Sequence, residues 1–302
     1  MGAPPIKMIA KPLSRVVSPA RPLFGRESRL CGPLMIRFAA IFGLLPVLLA
    51  PEAARAAESF ASDWAPTLKA SARLVLGAGG EGGFEIKLAP GAITYWRDPG
   101  DSGEPPSFDF SLSSNVGSAE VEFPAPRRIV EADGSVAYGY DGDVILPIKF
   151  SAADAGKPVT LAVNATYAVC EKICVPARAK LSLSPPLAAS SPYAAAISAA
   201  LMRVPGRVAW SDLEATVTAV EGRGWRLCLP ARRADVSDLF FEASPGWTFV
   251  TKLAPKSADG PCFAVALRDR PKDGAFPVAV TLTFAGPNGG SETAIAWPPS
   301  DR

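Results

Sequence analysis

Two cysteines separated by three residues, Cys170 and Cys174, sit in Tyr167-Ala-Val-Cys-Glu-Lys-Ile-Cys-Val-Pro-Ala177. Thiols at this spacing can close a short disulfide, exchange it with another thiol, or bind a soft metal ion. A straight strand rising about 3.3 Å per residue would hold them about 13 Å apart, whereas a disulfide needs Cα atoms within about 7 Å. A bond between them therefore requires the chain to curl through Glu171-Lys172-Ile173. The β-branched runs Val159-Thr-Leu-Ala-Val163 and Ala179-Lys-Leu-Ser-Leu183 read as the flanking strands. By loop-closure entropy such a small ring constrains the unfolded chain by about 2 kcal/mol, against about 4 kcal/mol for one from Cys228 to Cys262. A short, bent, exposed bridge stabilises least and reduces most easily. Lys172 and Arg178 would favour a thiolate by their charge. Spacing alone leaves three readings open: a structural hairpin staple, a redox-exchanging pair, and metal-binding or free thiols.

Other chemistry is scarce. The chain has no histidine, which removes Ser-His and Cys-His nucleophile pairs, the imidazole base and the commonest metal ligand together. Gly77-Ala-Gly-Gly-Glu-Gly82 spells a dinucleotide-binding fingerprint, but it runs into the strand-like Phe84-Glu-Ile-Lys-Leu88, where that motif requires a helix. It reads as a hairpin loop. The acidic loop Asp98-Pro-Gly-Asp-Ser-Gly-Glu104 matches no calcium-loop spacing and is built from turn residues. No cofactor and no metal site are expected.

The elements that must position the cysteines begin well inside the chain. Residues 1–34 are rich in Pro and Arg without a hydrophobic period, and are read as an extension outside the folded protein. Residues 35–56 have the form of a signal peptide: a basic start at Met35-Ile-Arg37, an apolar run from Phe38 to Ala50, and Ala54-Arg-Ala56 for cleavage after Ala56. Met35 is then an alternative start. The apolar run is too short for a stable span, so no membrane insertion is expected after cleavage, and the expected location is an oxidising compartment such as a periplasm. Losing residues 1–56 removes eight basic and two acidic side chains, leaving 23 basic against 27 acidic, and moves the formal charge from +2 to −4. No Lys/Arg stripe remains, and no nucleic-acid partner is expected. Cys31 leaves with the leader. The remaining Cys170, Cys174, Cys228 and Cys262 allow three pairings, of which 170–174 with 228–262 keeps each pair within one domain.

Short apolar segments between turn signals make the chain all-β: Ala72–Leu76, Gly83–Leu88, Ile93–Trp96, Ala119–Phe123 and Asp143–Phe150, then the strands around the cysteines. This spacing predicts an antiparallel β-sandwich domain over 57–187. A proline- and serine-rich stretch, 185–192, reads as a linker, followed by a short Ala-rich helix, Tyr193–Met202, and the connection between domains is taken as 188–206. A second, smaller β-rich domain over 207–302 is expected from Leu213–Val220, Gly224–Leu229, Gly246–Val250, Cys262–Leu267 and Phe276–Phe284. There, alternation puts Cys228 and Cys262 opposite the more apolar faces of their strands. A cross-strand structural bridge is the leading reading for them, and two separate thiols the alternative.

The stretches Leu88-Ala-Pro-Gly-Ala-Ile-Thr-Tyr-Trp-Arg-Asp-Pro-Gly-Asp-Ser-Gly-Glu-Pro-Pro106, Phe123-Pro-Ala-Pro126, Tyr138-Gly-Tyr140 and Tyr167–Pro176 resemble the N-terminal periplasmic domain of the thiol:disulfide interchange protein DsbD and of ScsB-type proteins. The resemblance covers about Asp63 to Leu183. It implies an immunoglobulin-like sandwich, and it places the redox pair at Cys170 and Cys174, with electrons received through a thioredoxin-like domain from a membrane-embedded one and passed to periplasmic acceptors. It also implies a loop shielding the cysteines, for which Asp98–Pro106 is one candidate. The best-studied members space their cysteines more widely. This sequence shows neither a transmembrane conduit nor a thioredoxin-like C-x-x-C, so the expected partners are thioredoxin-like periplasmic proteins and a separate membrane electron donor. Two rivals stand beside this reading. Cys-x-x-x-Cys-Val-Pro is reminiscent of the copper sites of Sco proteins, and two thiolates suit Cu(I), although histidine is absent and Met202 is the sole methionine after residue 56. The other rival is a scaffold in which both bridges are structural.

Overall fold

Alternation decides which face each strand buries. In the computed structural model, residues 60–299 are described, apart from 78, 102, 132–133, 185–189, 223 and 256. The expected extension, signal peptide and cleavage point lie outside the described residues, as does most of the 185–192 linker.

The chain is all-β, an immunoglobulin-like antiparallel sandwich followed by a smaller β-rich unit. The first sandwich contains β1 (Ala65–Pro66), β2 (Ala70–Leu76), β3 (Glu81–Leu88), β4 (Ile93–Gly100), β5 (Ser107–Asp109), β6 (Val116–Val121), β7 (Arg127–Val130), β8 (Val136–Tyr140), β9 (Val144–Ala152), β10 (Leu161–Cys170) and β11 (Cys174–Leu183). One sheet runs β1-β2-β3-β9-β6 and the other β11-β10-β4-β8-β7, with β5 paired to β10. Leu74, Phe84, Ile86, Leu146 and Ile148 of the first sheet meet Val163, Ala165, Tyr167, Ala177 and Ala179 of the second in one buried core. Between them, on the opposite face, the half-buried Arg73 and Glu85 pair across strands at 2.6 Å. The glycine-rich stretch at 77–80 joins β2 to its antiparallel neighbour β3.

Helix α1 (Ala194–Leu201) follows and buries Ile197. The second unit then adds β12 (Gly206–Arg207), a one-turn helix α2 (Trp210–Leu213), β13 (Thr216–Val220), β14 (Gly224–Cys228), β15 (Asp238–Ala243), β16 (Thr248–Leu253), β17 (Cys262–Asp269), β18 (Val278–Gly286) and β19 (Gly289–Trp297). Its sheets run β12-β19-β18-β15 and β13-β14-β17-β16. They enclose a second core that includes Leu227, Phe241, Phe263, Leu282 and Trp297.

Two local expectations change. The strand read from Leu213 begins at Thr216, because Glu214 adopts φ 50° and closes the α2 turn before extended chain resumes. Strands β15 and β19 were not anticipated, nor were the short β1, β5, β7 and β8 of the first sandwich. In β15, three apolar residues in a row, Leu239-Phe-Phe241, look unlike a half-buried strand because both faces are covered. Phe241 enters the second core, while Phe240, fully buried, crosses to the first sandwich. There its ring stands 4.8 Å from Tyr138 and 5.8 Å from Trp96, centroid to centroid. Polar contacts surround this anchor. Arg128 of β7 binds Asp238 at 2.8 and 3.0 Å and Thr251 Oγ1 at 2.7 Å. Arg97 of β4 binds Glu242 at 2.6 and 2.8 Å and also Glu292. Burial alone would lower the Arg97 guanidinium, but these two carboxylates outweigh it and hold it above its ordinary value.

Candidate redox site

Strands β10 and β11 form an antiparallel hairpin whose last paired residues are Cys170 and Cys174, directly opposite each other. The curl through Glu171-Lys172-Ile173 brings their Cα atoms to 4.0 Å, and a disulfide joins them. The two sulfurs have different surroundings. Cys170 is 1 % exposed, whereas Cys174 lies on the open side of the hairpin end. Alternation explains Cys174: it shares the solvent face of edge strand β11 with Pro176, Arg178 and Lys180, while Ala177, Ala179 and Leu181 point into the core.

Cys170 is buried by its neighbour strands. It stands opposite Ile93 of β4 and joins a small cluster with Tyr95, Ala137 and Ala168, flanked by Ile93 and Ile129. Tyr95 is 1 % exposed. Its hydroxyl lies 2.8 Å from Cys170 Sγ and 3.5 Å from Cys174 Sγ. Neither sulfur of a disulfide carries a proton, so the tyrosine O–H is the donor. Thr94, one residue earlier, donates from Oγ1 to the Ala168 carbonyl at 2.9 Å and fixes β4 against β10.

Gly103 packs on the far side of Tyr95. It has φ +93°, and a Cβ placed there would stand 2.3 Å from the Tyr95 ring, so only glycine lets the backbone lie this close. Two carboxylates of the same loop are already engaged. Asp98 accepts from the Gly100 N–H at 3.1 Å, and Asp101 pairs with Arg268. Burial pushes the Asp98 carboxyl above its ordinary value.

At the hairpin tip, Glu171 pairs with Lys69 at 2.7 Å, and that hydrogen bond and charge hold the Glu171 carboxyl below its ordinary value. Lys172 and Ile173 are exposed, Ile173 by 76 %. Arg178 is four residues beyond Cys174, about 13 Å along the strand. Among the described residues, the polar side chain within hydrogen-bond distance of the sulfurs is thus that of Tyr95. Sequence reasoning gave Tyr95 no role. Its only signal was its place in β4, opposite in facing to the core residue Trp96.

Cys228 and Cys262 face each other across β14 and β17 and are also joined by a disulfide, with Cα atoms 4.0 Å apart. Both are half-buried, between the buried Leu227, Leu229 and Phe263. The structure does not bring this bridge into contact with Cys170 or Cys174. Among the described residues, no helix is long and apolar enough to cross a membrane.

Residues 64–186, the first sandwich, match the family model described as thiol:disulfide interchange protein DsbD, N-terminal. The chain is also similar in structure to the N-terminal periplasmic domain of ScsB from Proteus mirabilis, with a TM-score of 0.60 at 20 % identity, over 79 % of this chain and 98 % of that one. That coverage far exceeds residues 64–186, so the likeness in fold continues into the second β-rich unit. No curated protein sequence matches the chain.

Proposed function

Because residues 64–186 form a domain of the DsbD N-terminal family, a module of thiol-disulfide interchange, we propose that this protein passes electron pairs through Cys170 and Cys174 by mixed-disulfide exchange. The observation that carries the reading is the asymmetry of the pair: Cys174 is open to solvent, and Cys170 is buried under a hydroxyl donor.

An incoming thiolate attacks Cys174 Sγ, the reachable sulfur. The S–S bond breaks, and Cys170 departs as a thiolate that accepts the Tyr95 hydrogen bond. A leaving thiolate stabilised in this way leaves faster. The donor's second thiolate then attacks its own sulfur in the mixed disulfide, which releases the Cys174 thiolate and oxidises the donor to a disulfide. In the second half, the Cys174 thiolate attacks an acceptor disulfide. The Cys170 thiolate next attacks Cys174 Sγ, re-forming the bond and releasing the acceptor as a dithiol. Two electrons have moved from donor to acceptor.

In this reading the protein works in the periplasm after cleavage behind Ala56. Its exchange partners are thioredoxin-like proteins, and a separate membrane protein supplies the electrons. The exchanging domain is 57–187, the connection is 188–206, and 207–302 is a second β domain braced by a structural Cys228–Cys262 bridge.

Two measurements test this. The reduction potential of Cys170–Cys174 is expected within the exchange range, roughly −120 to −270 mV. Cys170→Ser, which keeps the accessible thiol, is expected to accumulate a mixed disulfide with a thioredoxin-like partner, and Cys174→Ser is not. A potential well below about −300 mV, together with no trapped species from either variant, would make the bridge structural.

A further inference from the structure

Arg268 stands near the end of β17, in the second unit, yet its partner belongs to the redox sandwich. Its guanidinium binds the Asp101 carboxylate through both terminal nitrogens, the second contact at 3.4 Å. That hydrogen bond, opposed by some burial, raises the Arg268 pKa above its ordinary value. Asp101 also donates its N–H to the Val136 carbonyl at 2.8 Å, at the point where Gly100 pairs with Ala137 of β8. Two residues further on, Gly103 packs close against the Tyr95 ring, and the Tyr95 hydroxyl reaches both sulfurs. Contacts through space link Arg268 to Asp101, Gly103 to Tyr95 and Tyr95 to Cys170, and the covalent backbone joins Asp101 to Gly103.

We propose that Arg268 is a positioning residue for the redox pair, holding the chain at Asp101 so that Gly103 keeps Tyr95 over Cys170 and Cys174. This gives the second β unit a role at a site to which it contributes no reacting atom. The proposal rests on the exchange reading of that pair. Arg268 is 43 % and Asp101 26 % exposed at the side chain, and an ion pair this open shifts an equilibrium only severalfold and weakens with salt. Its loss should free Tyr95 for a larger fraction of the time without unfolding either sandwich.

The test is the rate at which dithiothreitol reduces Cys170–Cys174 in the full mature chain, read by thiol trapping and mass spectrometry at low and high salt. Arg268→Ala is expected to react about 2–5-fold more slowly than the wild type at low salt, because the Cys170 thiolate then leaves without the Tyr95 hydrogen bond for more of the time. Arg268→Lys should recover much of the wild-type rate. Asp101→Asn should match Arg268→Ala, and the double variant should be no slower than either single one. Raising the salt should slow the wild type toward the variants and leave them unchanged, a response that a merely structural residue would not give. The urea midpoint and the reduction of Cys228–Cys262 serve as controls and should not move. Equal, measurable rates in wild type and variants at both salts would overturn the role of Arg268 while leaving the exchange reading intact. A bridge that dithiothreitol fails to reduce even in the wild type would overturn both.

Discussion

The Tyr95 hydroxyl donates to Cys170 Sγ at 2.8 Å from a strand 75 residues earlier in the chain. A hydrogen bond to a charged acceptor contributes about 1.5–3 kcal/mol, and a disulfide sulfur gains far less from it than a thiolate does. Tyr95→Phe should therefore disfavour the reduced state. The potential of the pair is expected to become more negative by about 30–60 mV, and reduction by a thioredoxin-like dithiol to slow about tenfold. Redox titration and stopped-flow exchange check this; an unchanged potential would mean that the hydroxyl does not stabilise the thiolate.

Gly103→Ala places a methyl group where the Tyr95 ring stands and forces a side chain onto φ +93°. Strain of this kind costs about 1–3 kcal/mol, which the chain can relieve by lifting off the ring. The expected outcome is a modest loss of stability in urea, with faster alkylation of reduced Cys170 by iodoacetamide. Alkylation at the wild-type rate would show that Gly103 does not cover the site.

Phe240 anchors the second unit to the first through Tyr138 and Trp96. Phe240→Ala should cost about 3–5 kcal/mol, the usual range for a fully buried phenylalanine. It should also separate the melting of the two sandwiches, visible as two calorimetric transitions.

The two bridges should differ in what they contribute to stability. Replacing Cys228 and Cys262 by serine is expected to lower the unfolding free energy by about 4 kcal/mol, and replacing Cys170 and Cys174 by about 2 kcal/mol, because the first closes the longer loop. Urea unfolding of the two double variants measures the difference.

Glu171 offers a pH test at the hairpin tip. Its carboxyl lies below its ordinary 4.5 in the folded chain because of the hydrogen bond and charge of Lys69. A depressed carboxyl contributes stability above its unfolded value and loses it as pH falls through the folded one. The Lys69–Glu171 contact should therefore persist above pH 4.5 and fade below it. An NMR titration should place the Glu171 midpoint under 4.5, and Lys69→Met should raise it toward that value.

The sequence by itself determined the all-β architecture and the curled cysteine pair, because both rest on local rules. Period-two alternation in stretches such as Phe84-Glu-Ile-Lys-Leu88 marks strands wherever they pack, and a short disulfide demands a bend between Cys170 and Cys174. The hairpin nature of the glycine-rich stretch at 77–82 was legible for the same reason. Strand β15 was not: with Leu239, Phe240 and Phe241 buried on two faces, its pattern lacks alternation, and only the docking of two cores explains it. Nor could the sequence set the two sulfurs apart, since Cys170 and Cys174 have similar neighbours along the chain. Their difference comes from pairing: β11 is an edge strand, and β10 is covered by β4. Tyr95 and Arg268 join the site only through contacts between residues 75 and 167 positions apart, and no local pattern encodes contacts of that range.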